Sequence, residues 1–502
     1  MNKAIKTVGF MFIMILLSKV LGQVREMFIA STFGAGGIAD AYYAASTLPL
    51  NLFDIVFASA ISSAFIPVYN TYIEKEGIEE GDRFASGFIN TIFLGSVIIS
   101  AILMIFSDLF INIMAPGLHG DVHNLAVKLT IIMTPIIVFA SLTFCFSGLL
   151  QSKGEFNVPA VISIISNSAV IIYLIFFNKY FGIYGLAFAL LIGWGLQFLV
   201  QIPSAHKNGF RYKRVFYHKG LKDVVKLALP VLVGTWIQPI SNMINNAYAS
   251  SLDKGISSLN YASKLYLIVS AVFTVSVTNY VFPLLSKQSA LEDKDGYKKT
   301  LCDSFKIIVA VLVTICALML ALHTPIIEIV YKRGEFGDEA VRLTAGAFYW
   351  YSFGIIFYGV LDLLNKAFYA QKNSIIPAIT AVCAIALNFV LSYFLKSLMG
   401  IYGLALSAAL VYAFMAITLF IALNKKVRFF SLKDGVFFIK AIIYGIVSLI
   451  VTKGVFTLLS PIDTSVLLKI VRTGISCVAG VGVYGIFIIL FERKLIKELK
   501  KN

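Results

Sequence analysis

Ser18-Lys19-Val20-Leu21-Gly22-Gln23-Val24-Arg25-Glu26 lies inside the first apolar segment of the chain, and its charges stand where a simple anchor would carry only hydrocarbon. On insertion scales each such charge costs about 2.5–3.5 kcal/mol at the centre of a spanning helix. A charge at that depth persists where it faces a wet cavity, a partner or a substrate. The stretch therefore predicts an uncleaved first spanning helix built for transport.

Outward from this segment, apolar runs of about 20 residues recur to the C-terminus. Hydrophobic residues make up 59% of the 502 and charged residues 14%, which leaves no room for a soluble domain. Breakers and charges divide the chain into about fourteen transmembrane helices, an all-α polytopic membrane protein. The net charge of +16 could suggest nucleic acid. Lys and Arg, however, concentrate in alternate loops, roughly 25 on one side and roughly 8 on the other when the N-terminus is inside. The charge thus reports topology, with both termini cytoplasmic and no nucleic-acid partner. The densest cluster runs from Lys207 through Arg211, Lys213, Arg214 and Lys219 to Lys222; others are Lys425-Lys426-Val427-Arg428 and the tail Arg493 to Lys501. All three read as topogenic, lipid-facing charges. Cys145, Cys302, Cys316, Cys383 and Cys477 have no CxxC spacing and read as small core residues, without a disulfide or metal site.

The chain also repeats itself. Gly182-Ile183-Tyr184-Gly185-Leu186-Ala187 recurs as Gly400-Ile401-Tyr402-Gly403-Leu404-Ala405, and the same offset carries Pro159-Ala160 onto Pro377-Ala378 and Tyr43-Ala44 onto Tyr261-Ala262. Two pseudo-symmetric six-helix lobes follow, 1–205 and 222–424, joined by a basic cytoplasmic linker, 206–221, and succeeded by an extra helix pair with a basic tail, 425–502. Parallel repeats of this kind place a substrate between the halves and expose it alternately to each side.

Helical spacing sorts the polar residues into faces. Lys19, Gln23 and Glu26 form one stripe of the first span, with Arg25 about a third of a turn away. The second span carries Asp40, Tyr43, Thr47, Asn51 and Asp54 around Pro49; the seventh carries Gln238, Ser241, Asn242 and Asn245 around Pro239; the eighth carries Asn260, Lys264, Thr274 and Thr278. Asp362, Asn365 and Lys366 make a smaller patch. The bland alternative pairs Glu26 with Lys19 and Asp362 with Lys366. On the functional reading, Lys19, Arg25 and Lys264 bind an anionic headgroup through its phosphate oxygens. Gln23, Glu26, Asp40, Asn51, Asp54, Asn242, Asn245 and Asn260 then line or gate the cavity. Pro49, Pro239 and the turn Gly34-Ala35-Gly36-Gly37 supply kinks and a tight connection.

Several blocks make a family resemblance: Ser18-Lys19-Val20-Leu21-Gly22 with Arg25-Glu26, Phe33-Gly34-Ala35-Gly36, Ala39-Asp40-Ala41-Tyr42, Leu48-Pro49, Ala64-Phe65-Ile66-Pro67, Tyr261-Ala262-Ser263-Lys264-Leu265 and Tyr331-Lys332-Arg333-Gly334-Glu335-Phe336. In these the chain resembles the MurJ (MviN) family of lipid II flippases, within the superfamily that also holds MATE drug exporters. The resemblance implies a protein of the bacterial cytoplasmic membrane. It would move an undecaprenyl-pyrophosphate-linked peptidoglycan precursor from inner to outer leaflet, alongside membrane lipids and the cell-wall synthesis machinery. It also implies a cavity arginine at Arg25, lysines at Lys19 and Lys264 where arginine is usual, the family's acidic residue at Asp40, and a lipid-tail groove at the extra helix pair.

The sequence departs from the family after Leu48-Pro49: many members carry arginines there, whereas this chain reads Leu50-Asn51-Leu52-Phe53-Asp54, so one expected phosphate contact is absent. The positions matching a sodium site in some members, Asn245, Asn388, Ser392 and Ser407, hold no carboxylate. That argues against sodium coupling and leaves membrane potential as the alternative drive, with no cofactor, no metal and no catalytic residue expected. Alternative readings are a flippase for another undecaprenyl-linked oligosaccharide (teichoic acid, capsule or O-unit) and a MATE-like cation-coupled drug exporter. An enzyme would need carboxylates or a metal on a substantial outer loop, and the outer loops are short.

Overall fold

The computed structural model describes residues 3–58, 60–460 and 465–492; the basic tail Arg493 to Lys501 lies outside them. Among the described residues every regular element is helical, and packing divides the chain into two units, Met1–Ser257 and Ser258–Asn502.

In the first unit, α1 (Lys3–Phe33) meets α2 (Gly37–Phe53) through a turn in which Gly34 takes a left-handed φ of 66°. Pro49 lies inside α2, where it removes a backbone donor. Just beyond it the helix loosens into two π-helical stretches, Asp54–Ala58 and Ala60–Phe65, before tightening into α3 (Ile66–Glu76). The unit continues with α4 (Ile78–Ile105), α5 (Ser107–Met114), α6 (Gly120–Met133) and α7 (Ile136–Ser152), then α8 (Asn157–Phe176) and α9 (Asn178–Lys207). Its core is an aromatic stack in which Phe65 lies 4.9 Å from Phe88 and 5.6 Å from Tyr69, ring centroid to centroid.

Two further helices, α10 (Leu221–Thr235) and α11 (Ile237–Ala249), also pack into this unit. The sequence repeat restarts near residue 222, but by packing the first unit runs on to Ser257. Trp236, at the break between α10 and α11, donates its indole N–H to the Ile55 carbonyl at 2.9 Å. An irregular helix needs such outside partners where water is scarce.

The second unit holds most of α12 (Gly255–Ala290), then α13 (Lys294–Tyr331), α14 (Asp338–Ser352), α15 (Gly354–Ala370), α16 (Ile375–Met399) and α17 (Ile401–Val427), and the final pair α18 (Leu432–Leu458) and α19 (Val466–Phe491). Among the described residues ten helical stretches, α6 with α7 taken as one, are long and apolar enough to cross a membrane, or eleven with α14 and α15 counted as one span bent by 45°. The second and seventh expected spans are interrupted, the second beyond Pro49 and the seventh before Pro239. Cys383 corrects one expectation: it is exposed on α16 beside the exposed Ile379 and Val382, whereas Cys145 and Cys316 are buried.

The repeat is visible in the backbone. Gly182 within α9 (φ 52°, ψ −140°) and Gly400 between α16 and α17 (φ 60°, ψ −130°) adopt the same conformation, open to glycine and strained for any other residue. Three residues on, a β-carbon at Gly185 would sit 2.2 Å from the Tyr173 hydroxyl, and one at Gly403 would sit 2.0 Å from the Leu395 carbonyl oxygen. Gly400→Ala should therefore destabilise the protein by about 1–3 kcal/mol. Thermal unfolding in detergent checks this, and an unchanged midpoint would refute the strain argument.

Candidate substrate site

The first-span motif resolves into two separate environments. Arg25 donates from Nη1 to Asn167 Oδ1 at 3.0 Å and from Nη2 to Glu26 Oε1 at 2.6 Å. The other Glu26 oxygen accepts from the Tyr43 hydroxyl at 2.7 Å, and Asn167 Nδ2 reaches back to the Ser18 carbonyl at 3.2 Å. Glu26 is only 3% exposed, so this cluster is a buried ion pair with neutral hydrogen-bonding partners on α2 and α8. Arg25 Nε is buried without a hydrogen-bond partner among the described residues. The guanidinium is thus held in place yet unsatisfied at one edge.

Lys19 stands apart from it. The lysine is exposed and makes no ion pair or side-chain hydrogen bond among the described residues. It lines a groove of about 330 Å³ with Ser18, Gln151, Phe156, Pro159 and Ser163, level with the adjoining ends of α7 and α8. The bland pairing of Glu26 with Lys19 is therefore corrected: Glu26 is satisfied by Arg25, its neighbour in sequence, and Lys19 keeps its charge unpaired.

The second-span stripe contacts the helices that follow the linker. Asp40 is 3% exposed and its Oδ1 accepts from the Ser257 backbone N–H at 2.7 Å, capping the start of α12. Thr47 Oγ1 accepts from Asn246 Nδ2 at 3.2 Å, and Ser250 Oγ accepts from the Gly117 N–H at 2.8 Å. Asn51 is buried with its Nδ2 unpartnered, and Asp54 is exposed at the start of the π-helical stretch. Gln23 and Asn245 are half-buried, and Asn242 Oδ1 receives a long 3.5 Å hydrogen bond from Gln238.

In the second unit Lys264 and Asn260 are half-buried on α12. Farther along that helix the Thr278 hydroxyl donates to Asp362 Oδ2 at 2.6 Å while accepting from Lys366 Nζ at 2.6 Å, and Lys366 also reaches Asn279. Asp362 and Lys366 thus satisfy one another, as the bland reading expected. Asn388, Ser392 and Ser407 bond among themselves, with Asn388 Oδ1 accepting from both hydroxyls at 3.2 Å. Sequence reasoning missed Asn167 and the Ser257 amide. An asparagine flanked by Ser166 and Ser168 in the middle of an apolar span was the available signal for the first; a backbone donor leaves none.

The helical architecture, with its paired and unpaired charges, is that of a polytopic membrane transporter. An inward-facing multidrug MATE transporter of the MOP superfamily shares the fold at 12% identity, with a TM-score of 0.70 over 82% of this chain and 94% of the other. A MurJ structure described as inward closed aligns over 97% of this chain and 99% of its own, at 29% identity and a TM-score of 0.83. The family model "Lipid II flippase MurJ" matches residues 29–471. Relatives include the lipid II flippase MurJ of Burkholderia cenocepacia, 28% identical over 82% of each chain. Another is the probable lipid II flippase MurJ of Buchnera aphidicola subsp. Schizaphis graminum, 30% identical over 88% of this chain and 87% of its own. The chain belongs to the MurJ lipid II flippase family.

Proposed function

We propose that the protein is a transporter rather than an enzyme, and that it carries lipid II from the inner to the outer leaflet of the bacterial plasma membrane by alternating access, with both termini cytoplasmic. Membership of the flippase family over most of the chain carries this reading. The chemistry on α1 agrees with it. Lys19, exposed and unpaired in its groove, makes the first contact with the pyrophosphate as a point charge. Arg25 then offers a planar fork by exchanging Glu26 for phosphate oxygen. Lys264 is the third cation of the set, and Gln23, Asn51, Asp54, Asn242, Asn245 and Asn260 line the path. Release of the contact between Asp40 and Ser257 accompanies opening to the outside. In place of a sodium-binding carboxylate, membrane potential drives the cycle, at about 2.3 kcal/mol per charge per 100 mV.

Complementation tests the proposal. In a bacterium depleted of its own lipid II flippase, expression of this chain should restore lipid II exposed on the outer face and rescue growth. A stable, inserted protein that restores neither would overturn it.

A further inference from the structure

The linker between α9 and α10 does more than set topology. Residues 210–217 form no regular element, yet they are bound along α4 in a fixed register. The Arg211 N–H donates to Asp82 Oδ2 at 2.9 Å, the Lys213 N–H donates to Ser86 Oγ at 2.9 Å, and the Val215 carbonyl accepts from Asn90 Nδ2 at 2.8 Å. Asp82, Ser86 and Asn90 are spaced four apart on the helix, about 6 Å per step, which matches the roughly 6.6 Å covered by two extended residues. Thr91 adds a bond to the Phe216 carbonyl at 3.3 Å. Polar side chains inside an apolar helix thereby satisfy a non-helical backbone, as is required where water is scarce.

The far end of this strap is fixed as well. His218 Nε2 lies 2.9 Å from Glu80 Oε1 while its Nδ1 accepts from the Gly220 N–H at 3.0 Å. Asp82 also accepts from the Tyr69 hydroxyl and pairs with Lys153 at 3.7 Å.

The register sets the depth of the strap. Asn90 lies two turns farther into α4 than Asp82, about 12 Å along the axis. Following that direction, the strap carries Phe216 and Tyr217 away from the start of α4 toward its apolar middle. Both rings project freely, Phe216 at 77% and Tyr217 at 63% exposure. Around them Lys213 and Lys219 are paired with Glu79 and Glu76, whereas the side chains of Lys207, Arg214, Lys222 and Lys226 are exposed and without a partner among the described residues.

A rigid backbone presenting two adjacent aromatic rings amid unpaired cations has the two signals that hold a protein segment to a lipid surface, apolar insertion and attraction to anionic headgroups. The rings stand out as a narrow tip, which a fluid bilayer admits. We propose that residues 210–217 and the flanking cations bind anionic phospholipid headgroups at the membrane face where α4 begins, with Phe216 and Tyr217 inserted beneath those headgroups.

The test uses the full chain reconstituted in vesicles. Tryptophan fluorescence of the Phe216→Trp variant is compared with that of the parent, and the difference reports position 216 against the three native tryptophans. Lipids brominated on the acyl chains, either phosphatidylglycerol or phosphatidylcholine, serve as quenchers at equal mole fraction. Brominated phosphatidylglycerol should quench position 216 at least threefold more than brominated phosphatidylcholine. Replacing Lys207, Arg214, Lys222 and Lys226 by glutamine should bring the ratio to one. Salt at about 1 M, where the screening length falls to about 3 Å, should do the same without any substitution. Equal quenching by both lipids would refute the anionic preference. Absence of quenching by either would refute insertion and assign the basic face to an acidic protein partner instead.

Discussion

Arg25→Ala is expected to abolish transport, and to do so for two separable reasons. The first concerns folding. Glu26 is buried, and loss of the guanidinium removes the cation with which its carboxylate is paired at 2.6 Å. Removing one partner of a buried ion pair costs about 3–5 kcal/mol, because the surviving charge stays in a medium that solvates it poorly. Protein level and thermal midpoint should therefore fall. The second reason concerns the substrate, which loses its planar cation. The double variant Arg25→Ala/Glu26→Gln separates the two effects. With the stranded charge gone, protein level should recover toward the parent, while outer-face lipid II remains at background. Restored transport in the double variant would make the pair purely structural and would remove Arg25 from the substrate site.

That separation was only partly legible in the sequence. The motif from Ser18 to Glu26 announced charges inside an apolar segment, and the Gly182 hexapeptide announced its own recurrence at Gly400, where the two glycines take the same backbone conformation. Both signals are local, so one sequence suffices to read them. How the charges divide their partners was not legible. Helical periodicity placed Lys19 and Glu26 on one stripe and Arg25 to the side, but a side chain's reach exceeds the angle between neighbouring positions. Arg25 bends round to the glutamate that follows it, held there by Asn167, which lies 142 residues away. The same limit hid the strap on α4. Nothing in the sequence marks Ser86 and Asn90 as partners of the Lys213 N–H and the Val215 carbonyl, which lie 127 and 125 residues away.

Asp40→Ala should loosen the contact of α2 with the start of α12, and Asp40→Asn should not. The carboxylate accepts from the Ser257 N–H at 2.7 Å, one of the donors that a helix leaves unpaired in its first turn. Alanine at such a cap costs about 0.5–2 kcal/mol, whereas asparagine ranks with aspartate because its carbonyl accepts the same bond. Just before Ser257 in sequence, Asn246 on α11 bonds Thr47 and Ser250 bonds the Gly117 N–H. The contact is also tight: a β-carbon at Gly117 would lie 2.4 Å from the Ser251 backbone. Losing about 1.4 kcal/mol from it raises the open population about tenfold. An Ala249→Cys reporter, fully buried in the parent, measures that population by its rate of reaction with an impermeant maleimide once the native cysteines are replaced. The rate should rise about tenfold in the Asp40→Ala background and stay near the parent value in the Asp40→Asn background. Equal rates in all three would show that Asp40 does not hold the contact. A rise with asparagine as large as that with alanine would show that the charge acting on the helix dipole, rather than the hydrogen bond, holds Asp40 to the Ser257 amide.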